Sequence, residues 1–130
     1  EDGGFAYQPG GPTTPTRTGT GILALEVCGD HGSDEAKRGA KYLLDRPLDL
    51  EERYFYYGAY YCSVGLFKLG GPGWPAARNQ ITGLLLELQQ ADGSWLAPHG
   101  SEHSAGKVYC TTMSVLALAV EYQYLPIYQR

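Results

Sequence analysis

The sequence lacks the features of several protein classes. Its longest uninterrupted apolar stretch is a few residues, whereas a membrane-spanning helix needs about 20. It has no basic stripe, and its net charge of -4 argues against a nucleic-acid surface. Charged residues make up only 18% of the chain and hydrophobic residues 43%. That balance is typical of a packed core rather than a disordered chain, so we expect a single domain over residues 1–130.

Cysteine is scarce, and its odd number excludes complete pairing. Cys28, Cys62 and Cys110 each lie within or beside an apolar helical segment, so we expect buried, reduced thiols. That expectation favours a reducing compartment such as the cytoplasm.

The first residues are acidic and then rich in Gly and Pro, which is not the pattern of a signal peptide. Because the chain begins inside a motif, we also expect it to be truncated at its N-terminus.

The most informative pattern is a pair of blocks of the form Asp-Gly-x-aromatic. They are Asp92-Gly93-Ser94-Trp95, which Gln89 precedes, and Asp2-Gly3-Gly4-Phe5. Each block is followed by a loop rich in Gly and Pro and then by a helix start rich in Thr, at 18–25 and at 111–118. Repetition at a fixed spacing predicts a repeat architecture.

Helical spacing predicts five helices and no strand. Gly and Pro bound most of the segments, and the predicted ranges are 16–27, 33–46, 50–69, 75–90 and 108–122. The third segment is rich in Tyr and Phe, which favour strands, but about 18 residues without a turn signal are too long for one. The first, third and fifth segments are apolar nearly all round, which predicts burial on most sides, whereas the second and fourth are amphipathic. The sequence therefore predicts an all-α fold in which buried and amphipathic helices alternate.

The Gln-x-x-Asp-Gly-x-Trp block resembles the QW repeat of squalene-hopene cyclases and of the wider prenyltransferase α/α-toroid superfamily. Three further segments share the likeness: Tyr57-Gly58-Ala59-Tyr60-Tyr61, Gly70-Gly71-Pro72-Gly73-Trp74 and Val108-Tyr109-Cys110-Thr111. The resemblance implies an α/α toroid segment, an incomplete barrel of about five alternating inner and outer helices. It also implies a structural motif that joins an outer helix to the next inner one, made of Gln89, Asp92, Gly93 and Trp95.

The resemblance places no catalytic residue in this chain. Squalene-hopene cyclases use an acidic cluster, Asp-x-Asp-Asp-Thr-Ala, whose last four residues align with 16–19 and, through the repeat, with 109–112. Neither segment contains an acid. Protonation of an alkene requires a strong carboxylic acid, which Arg, Thr, Tyr and Cys do not replace. We therefore expect no catalytic residue and no cofactor.

The resemblance makes zinc a candidate metal, because protein prenyltransferases bind zinc with Asp, Cys and His. The candidate ligands are Cys110 with the pair His99 and His103, and a second cluster lies at 28–31. A His pair four residues apart binds zinc from one helix face, but this pair is predicted to lie in a loop. We therefore expect no bound metal here, only solvated histidines and a buried thiol.

Four tyrosines are candidates for lining the cavity of a toroid: Tyr54, Tyr57, Tyr61 and Tyr109. Aromatic faces there would hold a hydrophobic or isoprenoid ligand. In the alternative interpretation, the tyrosines of the third helix are packing residues with satisfied hydroxyls.

Two functions stay open. One is a non-catalytic binding or scaffold domain that resembles terpenoid cyclases. The other is the C-terminal fragment of a terpene cyclase or prenyltransferase-like enzyme that acts on an isoprenoid substrate. An incomplete array leaves the faces of inner helices uncovered, so we also expect self-association.

Overall fold

The structure is a computed structural model that describes residues 2–126, and this part of the chain is all-helical. The elements are α1 (Pro15–Val27), α2 (Asp34–Asp45), α3 (Phe55–Leu69), α4 (Gly73–Leu88), α5 (Gly100–Ala105), α6 (Lys107–Ala119) and the 3-10 helix η1 (Val120–Tyr122). Among the described residues, β-structure is limited to one isolated bridge between Ala6 and Thr13. The predicted all-α class is confirmed. None of these described helices combines the length and apolar character needed to cross a membrane.

Local capping explains where the first two helices begin. The Thr14 hydroxyl accepts a hydrogen bond from the backbone N–H of Arg17 at 3.2 Å. Pro15 occupies the first turn of α1, where an N–H would have no partner within the helix. Ser33 caps α2 in the same way by accepting from the N–H of Ala36. Because these signals are local, the predicted ranges of both helices agree closely with the structure.

The fourth predicted helix, 75–90, is observed two residues earlier as α4, and the fifth, 108–122, is observed as α6 followed by η1. Two larger differences concern the third helix and the loop before the fifth. The third helix begins at Phe55 rather than at 50, because the residues before it form turns in which the Asp49 carboxylate accepts from the N–H of Glu51 at 2.9 Å. The loop predicted between the fourth and fifth helices contains α5, a helix of six residues. That helix has no apolar period of its own, so hydrophobic spacing could not reveal it.

The helix α3 lies at the centre of the fold. It packs against α1 and against α6, while α2 packs on α1, α4 packs on α3, and α2 touches α4. Glycines allow α1 and α3 to approach closely, since a Cβ at Gly19 would lie 2.6 Å from the backbone nitrogen of Cys62. Three helices thus form a row in the order α1, α3, α6, and α2 and α4 lie beside that row.

Burial follows the predicted alternation only in part. The helix α3 is buried on most sides, as expected. By contrast, α6 buries one face, which carries Cys110, Ser114 and Ala117, and exposes the face that carries Val115. The last residue of α1, Val27, is also exposed. The prediction of burial on most sides is therefore wrong for α6 and holds only partly for α1, because no described element covers those faces.

The cysteines differ in burial. Cys62 and Cys110 lie in the core, as predicted, whereas Cys28 is exposed. The prediction of a buried thiol is wrong for Cys28 because this residue follows the last turn of α1 and caps its C-terminus, where the chain leaves the core.

Candidate functional site

The two Asp-Gly-x-aromatic blocks form the same turn. The Asp92 carboxylate accepts a hydrogen bond from the backbone N–H of Ser94 at 3.1 Å, and Asp2 accepts one from Gly4 at 3.1 Å. The glycine after each aspartate has a positive φ, 82° in one turn and 84° in the other. A side chain disfavours that conformation, so the motif specifies the local path of the chain.

In each turn, the backbone N–H of the aromatic residue is hydrogen-bonded to the next helix of the row formed by α1, α3 and α6. The N–H of Trp95 donates to the Thr111 hydroxyl at 3.1 Å. The N–H of Phe5 donates to the Thr18 hydroxyl at 3.0 Å. The two turns thus make the same hydrogen bond, which places Thr18 of α1 and Thr111 of α6 at equivalent positions.

Trp95 links α4 to α6, because its side chain is hydrogen-bonded to α4 and its backbone N–H to Thr111 of α6. Its ring is only 3% exposed, and its Nε1 donates to the carbonyl oxygen of Leu85 at 2.7 Å. A buried indole with a satisfied N–H adds a large apolar surface to a core. The Gln89 amide acts more locally, since its Nε2 donates to the carbonyl oxygen of Gly93 at 2.9 Å. Trp95 therefore makes the contact between helices, and Gln89 supports the turn.

Asp92 also binds the first residue of α6. The Lys107 ammonium lies 2.9 Å from its carboxylate. Hydrogen bonds from Ser94 first, and from Lys107 second, hold the pKa of Asp92 well below its usual range. Asp92 is therefore charged at physiological pH, although an ion pair this exposed contributes little to stability.

An open cleft of about 760 Å³ lies beside α1, α3 and the start of α6. We call it the tyrosine cleft because its lining includes Tyr54, Tyr57 and Tyr109. The helix α1 contributes Thr20 and Ala24 to the lining. Three of the four tyrosines predicted to line a cavity therefore lie together on one cleft.

The fourth of these tyrosines, Tyr61, is absent from the cleft lining and packs on Tyr57, with ring centroids 4.2 Å apart. Burial first, and the neighbouring Tyr57 second, raise the pKa of Tyr61 to about 12. Burial first, and then Glu102, raise the pKa of Tyr109 to about 12. Both phenols are therefore neutral at physiological pH and keep a proton to donate.

A buried glutamate that the sequence did not single out contacts these tyrosines. Glu102 is 4% exposed, and its carboxylate accepts from the backbone N–H groups of Tyr56 at 3.1 Å and Tyr57 at 2.9 Å. Since α3 has no side-chain cap from its own N-cap residue, Glu102 satisfies two of its free donors from a distant part of the chain. The Tyr109 hydroxyl lies 3.5 Å from the same carboxylate. Glu102 sits among small polar residues, where periodicity gives no signal for such a contact.

The residues proposed as zinc ligands make other contacts. The Nδ1 of His103 lies 2.7 Å from the carbonyl oxygen of Ala97. The Cys110 thiol donates to the backbone carbonyl of Glu102 at 3.5 Å. His99 is exposed and immediately precedes α5. Within residues 2–126, no three His, Cys, Asp or Glu side chains lie close enough together to hold a metal ion.

Comparison with known proteins adds no relative to these observations. No protein-family model, no curated protein and no solved structure matches the chain. The function of the chain is therefore inferred from the geometry of the turns and of the tyrosine cleft.

Proposed function

We propose that this chain is a non-catalytic binding module, built as a segment of an α/α toroid, whose tyrosine cleft holds an apolar ligand. The observation that carries the proposal is the convergence of Tyr54, Tyr57 and Tyr109 on one open cleft. Tyrosine rings present a rigid apolar surface while their hydroxyls remain available for hydrogen bonds. A concave, largely apolar surface with a few polar groups is the usual form of a small-molecule site.

The helix packing supports the toroid part of the proposal. In such a toroid, inner helices pack side by side and an outer helix lies between successive inner helices in the sequence. Here α1, α3 and α6 pack in that order, with α2 and α4 between them in sequence and beside them in space. Equivalent turns precede the first and last helices of the row, as in a repeating array.

The lining of the cleft narrows the chemistry of the ligand. Thr20 and Ala24 are small and leave room beside the tyrosine rings. Arg17 and Arg53 add positive charge, and the Arg53 guanidinium lies 5.1 Å from the centre of the Tyr54 ring. An elongated apolar chain with a polar or anionic end, such as an isoprenoid alcohol or its phosphate, fits this distribution.

The absence of a free acid in the cleft supports binding without turnover. The residues that line it, all within the described range, include no Asp or Glu. The nearby Glu102 carboxylate already accepts two backbone N–H groups. Protonation of an alkene needs a carboxylic acid aimed at the substrate, and no residue of the lining supplies one, since Glu52, beside Thr16 and Arg17, lies outside the lining.

Calorimetric titration with farnesol and with farnesyl phosphate tests the proposal. We expect both to bind, the phosphate more tightly because of Arg17 and Arg53. Ala24→Trp places an indole in the cleft at an exposed helical position and should weaken binding by about tenfold or more. Ala76→Trp is the matched control, an exposed alanine on α4 that does not line the cleft.

Three outcomes would count against the proposal. Failure of both ligands to bind, or equal binding by Ala24→Trp and the parent chain, would show that the cleft is not the site. Conversion of farnesol into a product, detected by chromatography, would show turnover and would overturn the proposal that the module is non-catalytic.

A further inference from the structure

The helices α1 and α6 are two copies of one sequence pattern. The hydrogen bonds that make Thr18 and Thr111 equivalent also set the register of the residues that follow. In that register, 22–27 reads Ile-Leu-Ala-Leu-Glu-Val and 115–120 reads Val-Leu-Ala-Leu-Ala-Val. Five of these six positions carry equal or similar side chains, and the exception is Glu26, which is equivalent to Ala119.

Despite this similarity, the two helices bury opposite sides. Ile22 of α1 is completely buried, whereas its equivalent Val115 in α6 is 50% exposed. The relation reverses at the ends of the two helices, where Val27 of α1 is 53% exposed and its equivalent Val120, the first residue of η1 directly after α6, is completely buried. Each helix thus exposes the side that the other uses for packing.

The packing partner of both buried sides is α3. Val120 belongs to a buried cluster with Val64 and Phe67 of α3. On the other side of the row, a Cβ at Gly65 of α3 would lie 3.4 Å from the Cβ of Ile22. By this equivalence, the exposed side of α1 corresponds to the side of α6 that packs on α3. The exposed side of α6 likewise corresponds to the side of α1 that packs on α3.

We name these two surfaces by their residues. The α1 flank consists of Arg17, Thr20, Ala24 and Val27, which are equivalent to Cys110, Met113, Ala117 and Val120. The α6 flank consists of Val108, Thr112, Val115 and Ala119, which are equivalent to Pro15, Gly19, Ile22 and Glu26.

The two flanks are complementary in size and compatible in charge. The α6 flank presents two exposed valines, Val108 at 81% and Val115 at 50% exposure. The α1 flank presents the small side chains of Thr20 and Ala24, between which larger apolar side chains can pack. Neither flank contains an acid, and Arg17 is the one charged residue among the eight that define them, so no like charges meet when the flanks are paired.

We infer that a second copy of this chain is the occupant, and that it docks head to tail. The α6 flank of one copy packs on the α1 flank of the next, so that the row α1, α3, α6 continues into the α1 of the second copy. Such a contact joins two different surfaces and is heterologous, unlike a symmetric contact of one flank with itself. The contact continues the pattern of packing that the chain itself contains.

The association uses part of the surface proposed to hold the ligand, because Arg17, Thr20 and Ala24 of the α1 flank also line the tyrosine cleft. Val27 and the whole α6 flank lie outside that lining. Variants at Val27 and Val115 therefore test the docking without altering the cleft, and the experiment contains no ligand.

The test is sedimentation velocity of the chain alone over a range of concentrations, with two matched variants. Val115→Lys blocks the α6 flank and Val27→Lys blocks the α1 flank. Lysine is a good helix former, and at the C-terminus of α1 it also suits the helix dipole. Leu86→Lys is the control, since Leu86 is 57% exposed on α4 and belongs to neither flank.

We expect the parent chain and Leu86→Lys to associate, and each flank variant alone to be monomeric. An equimolar mixture of the two flank variants should form a one-to-one complex, because each supplies the flank that the other lacks. Association of Val27→Lys alone would indicate pairing of two α6 flanks, and association of Val115→Lys alone would indicate pairing of two α1 flanks. Either of these two results would overturn the head-to-tail contact. A parent chain that is monomeric, or a mixture of the two flank variants that forms no complex, would overturn it as well.

Discussion

The backbone N–H of Trp95 donates to the hydroxyl of Thr111 at 3.1 Å, and that hydroxyl lies 3.4 Å from the Trp95 carbonyl oxygen. The same threonine position at the start of α1, Thr18, accepts from Phe5 at 3.0 Å. Each threonine hydroxyl thus holds an Asp-Gly-x-aromatic turn against the first turns of the helix that carries the threonine.

Trp95→Ala should destabilise the fold by about 3–5 kcal/mol. The substitution leaves a cavity between α4 and α6 and removes the hydrogen bond to the Leu85 carbonyl oxygen. Urea unfolding followed by circular dichroism measures the change. Phe5→Ala, in the equivalent turn, is the matched comparison and should cost less, because the Phe5 ring is only half-buried. A Trp95→Ala chain that unfolds at the urea concentration of the parent would contradict the linking role of Trp95.

Thr111→Val tests the hydrogen bond separately from the ring. It keeps the size of the side chain but leaves the partly buried N–H of Trp95 without its acceptor, which should cost about 1–3 kcal/mol. Ser101→Ala is the control, since Ser101 is exposed on α5 and belongs to neither flank. Its effect should remain within roughly 0.5 kcal/mol. Equal effects of the two substitutions in the urea experiment would show that the hydroxyl of Thr111 has no special role.

The features that the sequence predicted well are those specified by neighbouring residues. Thr14 and Ser33 cap the helices that follow them, and Gly70 ends α3 with a φ of 75°. Even the equivalence of the two turns was visible, because each turn is made by four consecutive residues. Signals of this kind act over a few residues and can be read without knowing the fold.

The features that the sequence did not predict depend on tertiary contacts. Glu102 caps α3 across 46 positions of the chain to Tyr56, and nothing near Glu102 indicates that partner. The exposed sides of α1 and α6 were expected to be buried, because composition shows that a helix is apolar without showing what covers it. Val27 and Val120 occupy equivalent positions and differ from 53% to 0% exposure, a difference that only their neighbours explain.

Glu102→Ala should destabilise the N-terminus of α3. The substitution leaves the N–H groups of Tyr56 and Tyr57 without the carboxylate, and we expect a loss of roughly 2–3 kcal/mol. Glu102→Gln keeps a neutral acceptor and should have a smaller effect. Glu87→Ala, an exposed glutamate on α4, is the control. Hydrogen exchange by NMR should show faster exchange at both tyrosine amides in Glu102→Ala alone, and unchanged exchange there would contradict the capping role.

Alkaline pH should destabilise the fold through one buried and two half-buried tyrosines. Burial raises the pKa of Tyr56, Tyr61 and Tyr109 from 10.0 to about 12. The unfolded chain loses these protons first, so the stability that the neutral phenols contribute is full below about pH 10 and is lost as the pH rises towards about 12. Urea unfolding across this range should show the decline. Tyr61→Phe should reduce its slope, whereas Tyr124→Phe, at a tyrosine that is 76% exposed, should leave it unchanged. A stability that stays constant to about pH 12 would contradict the burial of these phenols.

The three cysteines should react at very different rates. Alkylation requires a thiolate that solvent can reach. Burial raises the pKa of Cys62 to about 12 and also raises that of Cys110, whereas Cys28 is exposed. Iodoacetamide should therefore add one label to the native chain, at Cys28, and label all three cysteines in denaturant, as measured by intact mass. Cys28→Ser should take up no label in the native state, which assigns the site. If Cys62 or Cys110 in the native chain reacted as fast as Cys28, the contact of α1 with α3 at Cys62, or of α6 with α5 at Cys110, would be open in solution, contrary to the packing described here.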